Sequence, residues 1–251
     1  MAIQLSDHFT YKKILRFCLP SIIMMIFTSI YGVVDGLFVS NFVGKVPFAA
    51  VNLIMPFIMI IGGIGFMIGT GGSAWVAKTL GEGNRDGANR YFTMMVKFTV
   101  LCGAGFSLLG IVFLRPICRL LGATDAMLED CVVYGTISLA FHTAFVMQSL
   151  FHTFFTTAEK PKLGLAATVA AGVTNMALDA LFIVVFKWGV AGAALATGLS
   201  ECIGGLLPLI YFLRPNGSLL RLTKAKLEGK ILWKACTNGS SELMTNISGS
   251  L

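Results

Sequence analysis

The chain has 251 residues, 56% of them apolar and only 12% charged, with a mean hydropathy of +0.81. A soluble domain carries about 25% charged residues, so a soluble enzyme is excluded, as are disorder, collagen and a coiled coil. The net charge of +7 would point to nucleic acid in a soluble protein, but here the basic residues sit in short connections between apolar blocks and report membrane topology instead.

Six apolar blocks, each longer than the roughly 20 residues a spanning helix needs, occupy 14–40, 49–77, 91–114, 132–157, 163–186 and 190–213. The expected fold is an all-α membrane protein, a bundle of six transmembrane helices. Span 1 contains Pro20 and Asp35, and span 2 contains Pro56. Each proline removes a helical hydrogen bond and predicts a bend, static or mobile. Six glycines between Gly62 and Gly72 give span 2 close-packing faces. The turn cluster 81–87 (GEGNRDG) leads into span 3, where Lys97 is expected to snorkel toward the interface. Cys118 and Cys131 share the next connection and are near enough in sequence to pair; the other four cysteines form no CxxC motif. Residues 214–229 form a basic loop. A seventh apolar stretch, 230–251, carries Ser, Asn and Thr over Thr237–Ser250 and reads as the polar, inward-facing start of a further helix, the front part of a longer protein.

Charge sets the expected orientation. Thirteen Lys and Arg residues fall in the N-terminus and in the loops after spans 2, 4 and 6; four (Lys45, Arg115, Arg119, Lys187) fall on the other side. The positive-inside rule places the N-terminus, residues 1–13, and loop 214–229 in the cytoplasm of a cell whose cytoplasmic membrane holds the protein. The partner is then the lipid bilayer and not nucleic acid.

The informative residues are the polar ones inside the spans, where an ionisable group costs about 2.5–3.5 kcal/mol or more. Asp35 lies about five residues from the outer end of span 1, and Asp179 and Thr197 about seven from the outer ends of spans 5 and 6. All three share one depth, and Asn175 is one turn from Asp179 on the same face. Oxygen ligands of this kind suit a small hard cation; two neighbouring carboxylates also suit a proton. The bland alternative is that each polar group bonds separately to a neighbouring helix. Tyr134, Gln148 and His152 form one stripe on span 4, expected to face a cavity, with His152 either structural or a proton carrier. Glu201 is one turn past Thr197, a second protonatable group or the partner of a base elsewhere. No nucleophile triad, zinc spacing, phosphate loop or haem motif is present, so the expectation is no enzyme and no cofactor beyond Na⁺ or H⁺ as a coupling ion.

Four segments carry a family likeness: Pro20 followed by Asp35-Gly36-Leu37-Phe38-Val39-Ser40; Gly69-Thr70-Gly71-Gly72-Ser73-Ala74 followed by Gly81-Glu82-Gly83-Asn84; Asn175 and Asp179 followed by Leu181-Phe182; and Gly189-Val190-Ala191-Gly192-Ala193-Ala194-Leu195-Ala196-Thr197. The chain resembles the multidrug and toxic compound extrusion (MATE) transporters. The resemblance implies two six-helix lobes, of which 14–213 is the first and 230–251 the start of helix seven, the second lobe being the missing partner. It implies a Na⁺ or H⁺ site at Asp35, Asn175, Asp179 and Thr197, with Tyr134 nearby and Pro20 as the bending proline. It further implies a cation-driven antiporter that exports amphipathic, mostly cationic drugs. Glu201 stands where the family pattern has Gln, and His152 where it often has Asn, which leaves the ion open. A flippase of lipid-linked sugars and a non-transporting membrane fragment are the alternatives.

Overall fold

The computed structural model describes residues 11–250, so the first ten residues of the expected cytoplasmic N-terminus and Leu251 lie outside it. Every regular element among the described residues is helical: α1 (Tyr11–Phe38), α2 (Lys45–Gly81), α3 (Arg85–Leu120), α4 (Asp125–Thr157), α5 (Pro161–Asp179), α6 (Gly189–Leu213), α7 (Gly229–Asn238) and α8 (Ser240–Ser250). Six of these helices are long and apolar enough to cross a membrane. Two wide π-helical turns, Val39–Val43 and Ala180–Val185, continue α1 and α5.

All six expected spans are present, and most of the helices overrun them. Lys45, Arg115 and Arg119 therefore sit on helix ends and not in loops. Helical hydrogen bonding does not stop where the apolar pattern stops; a 37-residue helix such as α2 is about 55 Å long against a hydrocarbon thickness of about 30 Å. The ends are set by local chemistry. Gly44, at φ +117°, turns the chain from the first π-turn into α2. Asn84 caps α3 by accepting the Gly87 amide at 2.9 Å. Pro161 opens α5, where its missing N–H costs nothing.

α2 and α4 lie at the centre. α3 and α6 flank them, α5 packs on α6, and α1 rests on α5. Lipid offers no strong hydrophobic drive for helix association, so contact depends on close packing. The glycines of α2 provide it on two sides. Gly62, Gly65 and Gly69 meet Phe145, Val146 and Leu150 of α4, whereas Gly63 and Gly71 meet α8 and α7. One buried cluster gathers Phe92, Phe151, Phe154 and Phe212, with ring centroids 4.8 and 4.9 Å from Phe92 to Phe154 and Phe212. A second gathers Ile54, Leu114, Leu139, Tyr134 and Ile183 at the other end of the bundle.

Two expectations need correction, and one is refined. Cys118 and Cys131 lie inside α3 and α4 as buried free thiols, and Cys131 Sγ donates to the Ala50 carbonyl at 3.4 Å. Lys97 is exposed and does reach toward the interface, where its Nζ donates to the Ala225 carbonyl of the loop at 2.8 Å. The seventh stretch is two helices broken at Gly239. Its polar residues divide: Thr237, Ser240, Ser241 and Ser248 are exposed, whereas Glu242, Thr245 and Asn246 line a groove against α2, and Leu232 and Ala235 are buried.

The α2–α4 seam yields a direct test. A Cβ at Gly65 would lie 2.5 Å from the Val146 carbonyl oxygen and 2.9 Å from its Cα, backbone that cannot move aside, whereas one at Gly105 meets nothing. Gly65→Val is expected to cost roughly 1–3 kcal/mol or more by overpacking, read as a lower thermal midpoint in detergent by circular dichroism. Gly105→Ala is expected to leave the midpoint unchanged or slightly raised.

Candidate cation site

Helical spacing delivers the polar residues in sets. Asn175 and Asp179 are one turn apart on α5, as are Thr197 and Glu201 on α6. Tyr134, Ser138 and His142 stand at four-residue intervals on α4, and Asp35 comes from the outer turns of α1. Both helices that carry an aspartate end in a π-turn: Val39–Val43 begins four residues after Asp35, and Ala180–Val185 follows Asp179 directly. Such widened turns recur at functional sites.

Asp35 and Asp179 are near neighbours across the packing of α1 on α5. Asp179 is fully buried and Asn175 is 1% exposed. Asp35 Oδ1, both carboxylate oxygens of Asp179 and Asn175 Oδ1 are buried with no hydrogen-bond partner. Asn175 Nδ2 donates to Thr197 Oγ1 at 3.4 Å, a long contact that ties α5 to α6 and leaves the amide oxygen free. Buried carboxylates without donors are costly by several kcal/mol each, and protein groups do not relieve these. A proton shared by the pair, or a hard cation taken by two carboxylates, one amide oxygen and one hydroxyl, would balance them. The donor set is all oxygen and fits either. Among the described residues no group of three or more His, Cys, Asp or Glu is placed to hold a metal ion, which sets this oxygen site apart from a transition-metal centre.

A cavity of about 20 Å³ adjoins the site, lined by Met55, Ile58, Tyr134, Ser138, His142, Thr197 and Glu201 among others. That is room for one water. Tyr134 is buried, and its hydroxyl faces the Met55 sulfur, at 3.8 Å. The expected stripe on α4 does not converge here as a whole. Gln148 lies against Gly204 of α6, and neither Gln148 nor His152 lines the cavity. Ser138 and His142 take their place, and the signal for them was the four-residue spacing from Tyr134. Pro20 sits buried inside α1 without interrupting it.

The unpaired carboxylates predict a stability effect of unusual sign. In cation-free detergent solution at alkaline pH, Asp179→Asn supplies an amide donor to Asp35 and removes a like charge. It is expected to raise the thermal midpoint, by about 1–3 kcal/mol of stability. A lowered midpoint would show that donors are already present.

The comparisons with known proteins agree with this architecture. The MatE family model matches residues 20–181. Among curated proteins, the chain is 24% identical over 206 residues to the multidrug export protein MepA of Staphylococcus saprophyticus, covering 82% of this chain and 46% of that protein. It is 23% identical over 204 residues to MepA of Staphylococcus aureus strain MRSA252, covering 81% and 45%. Among solved structures, the crystal structure of a MATE protein in the straight conformation superposes with a TM-score of 0.87 at 24% identity, covering 94% of this chain and 53% of that one. The chain thus spans about half the length of the relatives it matches, the half that forms one six-helix lobe. By its sequence the chain belongs to the MatE family, a family of membrane transporters and not of enzymes.

Proposed function

We propose that this chain is the cation-binding half of a multidrug exporter driven by inward movement of Na⁺ or H⁺. The observation that carries the reading is the neighbouring pair of buried Asp179 and partly buried Asp35, three of whose carboxylate oxygens are buried without a donor. Asn175 and Thr197 complete the site as neutral ligands. The MepA relatives are named for multidrug export, which supports amphipathic, mostly cationic compounds as the substrates. The second lobe is the expected partner, and alternating access is the expected movement. The basic bias of the connections supports a cytoplasmic N-terminus in the cytoplasmic membrane.

A groove on α2 and the small cavity beside the site share a wall. A groove of about 500 Å³ between α2 and α8 is lined by Asn52, Met55, Pro56, Met59 and Glu242 among others. Met55 and Met59 also line the small cavity that holds Tyr134, Thr197 and Glu201. Two flexible methionines beside a helix-weakening proline thus form the partition between groove and cation site. A cationic guest in the groove would meet Glu242, and repacking of the methionines would reach the ion side.

Asp35→Asn and Asp179→Asn, each introduced into the complete protein, are expected to lower efflux of a cationic dye to the level of non-expressing cells at equal membrane abundance. Normal efflux in both removes these residues from the site. A binding measurement separates the ions. Trp188 is half-exposed and stacks on Phe182 at 5.0 Å, just past the π-turn that follows Asp179. Saturable Na⁺-dependent change of tryptophan fluorescence that Asp179→Asn removes supports Na⁺. No change at any pH in folded protein leaves the proton.

A further inference from the structure

Residues 214–229 read as a loop, and the structure makes most of them a rail. Arg85, Asn89, Thr93 and Lys97 stand at four-residue intervals on α3 and grip the connection between α6 and α7. Arg85 Nε donates to the Leu219 carbonyl at 3.3 Å, and its Nη2 donates to the Ser218 carbonyl at 2.8 Å. The Arg221 amide donates to Asn89 Oδ1 at 3.0 Å, and the Thr223 amide to Thr93 Oγ1 at 2.9 Å. Lys97 Nζ donates to the Ala225 carbonyl at 2.8 Å. The gripped positions 219, 221, 223 and 225 alternate, as in an extended chain. The two repeats match: four helical residues rise about 6.0 Å and two extended residues about 6.6 Å. A ladder of four rungs therefore stays in register with no adjustment.

Apolar contacts lie under the rungs. Leu220 is fully buried in the cluster around Phe92 and Phe212, and the Leu222 amide donates to the Phe212 carbonyl at 2.9 Å. The far end is fixed as well. Glu228 meets Arg90 at 3.4 Å, and its carbonyl accepts the first amides of α7. α7 then crosses α2 backbone to backbone. A Cβ at Gly71 would fall on the Ala235 carbonyl, and one at Gly239 on the Met67 carbonyl.

We propose that residues 218–228 are a fixed strap that joins α3 and α7 into one rigid unit with α2. For the transporter proposed above, the consequence is that α7 travels with the first lobe. That consequence rests on the transport reading; the strap itself does not.

Amide hydrogen exchange on the purified 251-residue chain in detergent, resolved by residue, tests the strap without any transport assay. The amides of Arg221, Leu222 and Thr223 are expected to exchange at least about tenfold more slowly than those of Lys224 and Lys226, for which no such bond is formed. Asn89→Ala with Thr93→Ala is expected to speed Arg221 and Thr223 by about tenfold and to speed 229–238 with them, while α4 to α6 keep their protection. Asn89→Asp with Thr93→Ser keeps both acceptor oxygens and is expected to keep the slow exchange, which separates lost rungs from a damaged fold. Uniformly fast exchange over 219–226 in the unaltered chain would overturn the strap. Unchanged protection of 229–238 in the alanine variant would overturn its hold on α7. Failure of efflux with the strap intact would count against the transport reading alone.

Discussion

Two neighbouring carboxylates in an apolar bundle, three of their oxygens buried without a donor, set the terms for the rest of this molecule. At 4 Å and an effective dielectric near 20, two like charges repel by about 4 kcal/mol, to which burial adds its own cost. Side chains alone do not balance that: Asn175 turns its donor to Thr197, and its own oxygen is left unpaired. In the proposed reading such a pair is kept for an exchangeable positive charge, and the oxygen-rich surroundings, the one-water cavity and the π-turns that follow both aspartates serve it.

The two ends of the bundle differ accordingly. At one end are the aromatic cluster of Phe92, Phe154 and Phe212, the strap along α3, most of whose polar groups are bonded although Thr223 Oγ1 is not, and the Gly71–Gly239 crossing, where backbones are in direct contact. At the other end are Asp35, Asp179, Ser138 and His142, all with buried polar atoms that lack partners. Stability is not spread evenly over a fold, and the parts that move are drawn from the weakly satisfied ones. The strapped end reads as the fixed platform and the carboxylate end as the responsive one.

How much of this was legible in the residues depends on what each feature is made of. The six spans were legible because apolar length is a property of composition. Asp35, Asn175, Asp179 and Thr197 were legible because a polar residue inside a span is conspicuous and depth follows from counting along helices. Ser138 and His142 were overlooked because a stripe drawn from Tyr134 to His152 follows five whole turns, whereas the cavity is met by the first two turns only. The π-turns left no trace because Val39–Val43 and Ala180–Val185 differ from α-helix in backbone hydrogen bonding and not in residue type. The strap was hidden for another reason. Asn89, Thr93 and Lys97 look like ordinary interfacial polar residues, and 218–228 looks like a charged loop. Only the agreement between the rise of a helix and the rise of an extended chain reveals that each completes the other.

The position of α1 follows from the same pair of carboxylates. Many of its large apolar side chains, among them Leu15, Met25, Ile26, Val33 and Leu37, are exposed, and its principal helix neighbour is α5. Its seat there is a concavity, where Phe27 and Tyr31 fill the space a side chain at Gly172 would take. Two turns beyond Phe27, Asp35 neighbours Asp179 across the same seam. A helix held on one side by shape complementarity, and pushed or bridged at one point by charge, has a resting position that the occupancy of that point decides. In the proposed reading the ion need not act at a distance. It acts on the one seam that holds α1, and the buried Pro20 lies 15 residues along the same helix, where backbone hydrogen bonding is already weakest.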